Sequence, residues 1–525
     1  MQTNTSSLQF SNEFTLLLRA YHIWWEKKQE LEKKEKIKTK GGIETLAFIY
    51  EQIRNAIDYK GENLLRRYAT ERILKRYFWI NSSYNPQKLA ESLIKELIWA
   101  RYLKEEEVPV EKINEVEKIL NNFLPLLNLS QEKEWKDWVF TLISCEIENA
   151  LSSRLLDETY IHVIEEWFKN NFSLEEPEEK KADIQIFLAI GRVFLKLDDP
   201  TVSWYLLRKC YSSTPQQDLP LIRKKIDEDL NHPLRLPLFR FCRKFMAQFF
   251  ILKEIIEKNY PDINLIFENP QKLEEEIEEI CEKKYKEMRE KINRGIVRSI
   301  IYIFVTKVAI ALLLEIPYES FFSQRINFLP IGINIIIPPA LMFLLGSTIK
   351  TPGEENTQKI IREVESFVYQ KETPNKVPVF LLRKQKEQAL QKLFLIFYSL
   401  LFVLIFGGVT YILLKLKFNI ISLGIFFVFL SLVLLFGFRV RYNASEIFAV
   451  EEKEGFLMRL LDNISLPFLN LGFWLSKSLA KLNVLMILMD FLIEAPLKTI
   501  IRIIEDWLNF IKEKKTEVVE VPFAP

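Results

Sequence analysis

Lys307 is the residue whose surroundings most demand a chemical account, because it stands inside the apolar run from Ile296 to Leu314. An ammonium in hydrocarbon is costly and calls for an anionic or amide partner. Three candidates present themselves: Glu315, two helical turns on, Asn334 in the next apolar run, and Asp490 in the tail. Asp490 and Glu494 are spaced i,i+4, so both carboxylates share one helix face. They could bind a cation, accept a proton, or pair with Lys498. Lys307, Glu315, Asn334, Asp490 and Glu494 thus make a candidate intramembrane polar site, with an ion or proton pathway as its chemistry. The competing reading is a tilted helix whose lysine snorkels or faces a polar cleft without transport.

A second constellation is basic. Arg66, Arg67, Arg72, Lys75 and Arg76 recur along a helical pattern, interleaved with the apolar stripe of Leu64, Leu65, Tyr68, Ile73, Leu74 and Tyr77. Such a face could touch phosphate in lipid headgroups or nucleic acid. The favoured reading is a solvated face paired with Glu62, Glu71 and neighbouring acids, as surface charge runs usually are.

The absences narrow the classes. The three histidines, His22, His162 and His232, lack metal-ligand spacing, and the four cysteines, Cys145, Cys210, Cys242 and Cys281, form no CxxC pattern. No GxxxxGK[ST] loop, GxSxG elbow or HExxH pattern occurs. The expectation is a protein that is not an enzyme and uses no metal or cofactor. Lys and Arg total 72 against 70 Asp and Glu, a net charge of +2, so no global field steers a polyanion. No specific nucleic-acid binding is expected.

The elements that must position these residues read as all-α. Glycine is scarce, 14 residues in 525, and no period-2 alternation with turn dipeptides announces a sheet. Residues 1–269 read as a helical cytoplasmic domain of amphipathic helices, which could stack as a short solenoid. Residues 270–295 form a charged stalk helix, with Glu279–Lys283 and Glu282–Lys286 in the favourable i,i+4 order and Lys284 interrupting the apolar seam.

Four runs are long enough to cross about 30 Å of hydrocarbon: Ile296 to Leu314, Phe328 to Leu345, Leu393 to Leu414, and Phe418 to Phe438. They divide into spans one and two (296–345), a cytoplasmic loop with helices (346–392), and spans three and four (393–438). In the loop, Thr351 and Pro352 look like a helix opening. Pro338 and Pro339 should kink or break the second span.

Basic flanks at Lys291, Arg294 and Arg298, along the 346–392 loop, and at Arg439 and Arg441 put the cytoplasm on the side of both termini. Residues 439–525 read as an amphipathic tail in the inner membrane interface or folded against the stalk. A further span there would export the basic run at Glu513 to Lys515. The N-terminus has neither the basic start nor the apolar core of a cleavable signal.

Three stretches, YEQIRNAIDYKGENLLRRYATERILKR, PPALMFLLGSTIKTPGEENT and NVLMILMDFLIEAPLKT, resemble an uncharacterised family of integral membrane proteins from small-genome bacteria of the candidate phyla radiation. The resemblance implies a soluble helical domain followed by a membrane domain, and carries no activity or site residue. The functional expectation is a membrane-anchored interaction or scaffold protein whose partners are the bilayer and either another protein or further copies of itself. The alternative is an oligomeric transporter, channel or accessory subunit built on Lys307 and a broken second span.

Overall fold

The computed structural model describes residues 9–37, 64–80, 85–104, 107–152, 154–174, 179–211, 218–322, 328–369, 376–379, 388–444, 448–450 and 456–481. They are almost wholly helical, with two three-residue strands, Phe172–Leu174 and Val377–Val379. The chain divides into two compact units. The helical unit is built on Asn12–Phe239, and the membrane unit on Arg240–Pro374 and Pro378–Leu482. The division therefore falls ahead of the expected boundary at 269.

The helical unit contains α1 (Asn12–Glu32), α2 (Leu65–Ile80), α3 (Pro86–Trp99), α4 (Glu111–Phe123), α5 (Lys133–Leu151), α6 (Leu155–Asn171), α7 (Glu179–Phe194), α8 (Asp199–Tyr211), α9 (Leu219–Leu230) and most of α10 (Arg235–Arg243). Local signals start these helices. Asn85 caps α3 by accepting from the backbone N–H groups of Gln87 and Lys88, and Pro86 takes the first position, where no donor is needed. Helix α5 buries every residue from Val139 to Cys145, whereas others bury one stripe. In α1 it is Phe14, Leu17 and Tyr21, and the Tyr21 hydroxyl meets that of Tyr160 at 3.0 Å.

Sequence neighbours pack as α3 on α4, α4 on α5 and α6 on α7, but α1 also packs on α6 and α2 on α5. Those long-range pairings make a closed body rather than a stack of repeats.

The membrane unit contains α11 (Met246–Asn259), α12 (Asn264–Phe267), α13 (Pro270–Ile310), α14 (Ile316–Phe322), α15 (Phe328–Ser347), α16 (Glu354–Val368), α17 (Gln388–Lys415), α18 (Ile420–Ala444) and α19 (Phe456–Lys481). Stalk and first span are one helix, α13, capped by Asn269 and opened by Pro270. Lys284 does not merely interrupt the seam, because it pairs with Glu254 of α11 while Leu273, Ile277 and Ile280 bury beside it. The α16 helix starts at Glu354 after Gly353, two residues past the expected Thr351–Pro352 opening.

Among the described residues, four helical stretches are long and apolar enough to cross a membrane: Pro270–Phe321, Phe328–Ser347, Leu395–Lys415 and Ile420–Tyr442. The second is not broken. Pro338 and Pro339 sit inside a continuous α15. The departure from α-helical geometry lies in the first span, where Ala311–Glu315 form a π-helical turn. Helix α15 packs against both α13 and α18, and Gly346 lets it approach Ile296 more closely than any Cβ would allow. Helix α19 packs lengthwise on α18, with Phe468 against the Phe406 and Phe427 rings.

Candidate functional site: a lysine, an amide and a carboxylate between the spans

Lys307, Glu315 and Asn334 come together in the membrane unit, and all three are fully buried. The π turn is what permits it. An α-helix advances ~100° per residue, so eight residues would carry Glu315 roughly 80° around from Lys307. The wider turn at Ala311–Glu315 rotates less per residue and returns the carboxylate toward the lysine's side.

Asn334 is the hub. Its Oδ1 accepts from Lys307 Nζ at 3.3 Å, and its Nδ2 donates to Glu315 Oε1 and Oε2 at 3.1 and 3.2 Å. Nδ2 also reaches the Ser422 carbonyl at 3.1 Å, which ties in α18. The Ser422 hydroxyl, itself buried, lies 3.4 Å from Glu315 Oε2. Lys307 Nζ also sits 4.2 Å from the centre of the Phe429 ring, a cation–π contact in a water-poor setting. One turn beyond, nearly buried Glu319 accepts from Asn419 Nδ2 at 3.1 Å, and Asn419 Oδ1 caps α18 through the Ser422 N–H at 2.7 Å.

Two things follow chemically. Each ionisable group has its partner inside the helix bundle, so Lys307 points inward rather than snorkelling. The group between ammonium and carboxylate is a carboxamide, which does not titrate and so does not pass a proton by simple uptake and release. The arrangement ties spans one, two and four together more directly than it offers a path through them.

Ser422, Glu319 and Asn419 escaped the sequence reading. Asn419 did carry a signal, a capping residue directly before an apolar run. Asp490 and Glu494, the other expected members, lie outside the described residues.

No protein-family model, curated protein or solved structure matches this chain.

The basic residues of α2 belong to the helical unit, and there they pair with acids, Glu71 among them, instead of presenting a free basic face to phosphate. Arg67 is buried, its guanidinium 2.9 Å from Glu71 and 2.6 Å from Asp198. Arg66 forks onto Glu148 at 2.6 and 2.8 Å, and Arg76 meets Glu96 at 2.5 Å. Lys75 bridges Glu71 and Asp137 at 2.9 and 2.7 Å. Arg72, the fifth, is also engaged. Helix α2 packs its basic residues against acids of α3, α5 and the start of α8, because amphipathic α2 is covered on more than one side.

Burial pushes Asp198 up, but Arg67 and hydrogen bonds from Thr201 and Tyr68 outweigh it and hold the carboxyl below its usual range. Burial also lifts the neighbouring Cys145 thiol to about 12, against the pull of Arg67 and Arg154, so it is inert.

The helical unit also carries an open cleft of about 670 Å³. Its lining alternates in sign, with Lys27, Lys112 and Lys118 beside Glu30, Glu115 and Glu146. Among the described residues, no group of three or more His, Cys, Asp or Glu side chains is placed to hold a metal.

Proposed function

We propose that this chain is a membrane-anchored interaction protein. Its membrane unit is a locked helical anchor, and its helical unit binds a protein partner on the cytoplasmic side of a bacterial inner membrane. The observation that carries the reading is the mixed-charge cleft at Lys27, Glu30, Lys112, Glu115, Lys118 and Glu146. Charges of both signs at an open surface suit a complementary protein better than a polyanion or an apolar small molecule. The closed Lys307–Asn334–Glu315 cluster supports the anchoring half, since a satisfied polar network fixes one helix packing. The basic flanks of the spans support the side assigned to the helical unit.

Photo-crosslinking from positions 112 and 118 of the full chain, in its native membrane, tests this. One discrete protein adduct is expected. It should persist in Lys307→Leu and disappear when Glu115 and Glu146 are both changed to Lys. Absence of any protein adduct from both positions sinks the reading.

A second reading has its own support. A fully buried lysine beside a π turn is the kind of feature that marks ion or proton handling in membrane proteins. It predicts flux in reconstituted vesicles that Lys307→Leu abolishes while the folded bundle survives. Unchanged flux removes it.

A further inference from the structure

Helix α19 has the polarity of an interfacial helix, yet its neighbours lie deep among the spans. Gly472 packs on the backbone carbonyl of Ser431, so closely that a Cβ at 472 would run into it. Ser431 is fully buried at the centre of the apolar stretch Ile420–Tyr442. Phe468 is buried between Phe406, mid-way along the apolar stretch Leu395–Lys415 of α17, and Phe427 of α18. Both of its neighbours belong to helices apolar enough to cross a bilayer.

The direction of α19 follows from a second contact. Asp462 pairs with Arg441, at the end of α18 where the basic flank lies, at 3.2 Å. Ten residues separate Asp462 from Gly472, and ten separate Arg441 from Ser431. The two helices therefore run antiparallel, and α19 descends roughly 15 Å from the basic end to mid-span over those ten residues. Nine more residues carry the helix to Lys481, roughly 13 Å further along the same axis.

We infer that α19 is a fifth membrane-crossing helix whose exposed face is a lipid-binding surface. Phe473 and Trp474 are 58% and 62% exposed one step past the buried Gly472, on a helix held at hydrocarbon depth. Acyl chains are the partner that fits them, as they fit the similarly exposed Val403 and Leu404 of α17. Composition conceals the span because Asn463, Asn470 and Lys477 interrupt its apolar run. Within the bundle Asn470 is satisfied by the Tyr398 hydroxyl, and an exposed lysine near a helix end can snorkel. Position 481 then lies on the face of the membrane opposite Arg441, which revises the expectation of a tail confined to the inner interface.

The test uses the full chain in native membranes. A benzophenone side chain replacing Phe473 is expected to yield phospholipid adducts. With the exposed Cys210 changed to serine, Lys481→Cys is expected to react with a membrane-impermeant maleimide only from the face opposite an Arg439→Cys control. Labelling of 481 from the same face as 439 overturns the crossing. Reaction of Phe473→Cys with the impermeant reagent overturns the lipid contact as well. Should a variant fail to fold, Gly472→Leu gives an independent reading. It should free α19 from α18 and expose Phe468→Cys to a lipid-soluble maleimide, and a silent Gly472→Leu would refute the packing.

Discussion

Arg67 in the helical unit and Lys307 in the membrane unit are both cations buried beyond the reach of water, and the chain satisfies them in opposite ways. Arg67 meets two carboxylates directly, Glu71 and Asp198, and lies 4.0 Å from the centre of the Tyr68 ring. Asp198 in turn accepts from Tyr68 at 2.6 Å and from the Thr201 hydroxyl at 2.5 Å. Lys307 instead meets a neutral amide and an aromatic face, with its carboxylate one hydrogen bond further away. A planar guanidinium can serve two acids at once, whereas an ammonium is a compact point charge. In the helical unit, charge is cancelled by contact and the network holds four helices in register. In the membrane unit, one asparagine of span two divides its donors and acceptor between spans one and four, so the fit depends on a single neutral side chain.

That contrast says where each region breaks. The largest effect is expected from Arg67→Met, which leaves the half-buried Asp198 and Glu71 facing an apolar chain. Losing one member of a buried ion pair costs about 3–5 kcal/mol. Hydrogen exchange on the full chain should show lost protection in α2, α5 and α8, with the spans unaffected. Retained protection in those helices would mean the ion pairs contribute little beyond packing. Asn334→Leu comes next. It strands Lys307 and Glu315 without their shared partner, at a cost of about 1–3 kcal/mol for unsatisfied buried groups. Thermal melting in detergent should detect it, and adding Lys307→Met with Glu315→Gln should restore most of the loss. If the triple variant melts no higher than the single one, Asn334 is acting through packing alone.

Much of this was legible in the sequence, for identifiable reasons. The spans are readable because hydrocarbon tolerates so few sequences, and Lys307 and Asn334 stand out against that background. Glu315 is readable as a partner by proximity along the chain, although the π turn that aims it has no signature in residue type. Arg67 is the opposite case. Basic residues on a helix default to the surface, and the acid that buries this one, Asp198, is 131 positions away, a distance no local pattern spans. Helix α19 is hard to place from sequence for a related reason. Hydropathy counts Asn470 at its aqueous cost, but the bundle supplies Tyr398. Local periodicity reveals which face is apolar. It does not reveal what covers a polar group once the chain has closed.

A pH titration sharpens the comparison at lower amplitude. Asp198 titrates below its ordinary 3.8 in the folded helical unit. Above that ordinary value both folded and unfolded chains carry the charge, and its stabilisation is fully present. As pH falls from about 3.8 through the depressed folded value, the folded state must take up the proton and the stabilisation fades. Unfolding of the helical unit should therefore become easier on acidification through this window, and Asp198→Asn should flatten the dependence while lowering stability at neutral pH. A slope that survives in Asp198→Asn assigns the acid sensitivity to other carboxylates.

The smallest effect is expected where neither kind of burial operates. Lys95 and Glu91 pair at 2.9 Å on the surface of α3, both roughly half exposed, one helical turn apart. Solvent screens such a pair and its side chains keep much of their freedom, so Lys95→Ala should change stability by only about 0.3–0.5 kcal/mol. Its distance from Glu91 nearly equals that of Arg67 from Glu71, also 2.9 Å and also i,i+4. The two substitutions, measured side by side, separate geometry from burial. If Lys95→Ala costs as much as Arg67→Met, then distance sets the strength of these contacts and the argument from desolvation fails for both buried cations.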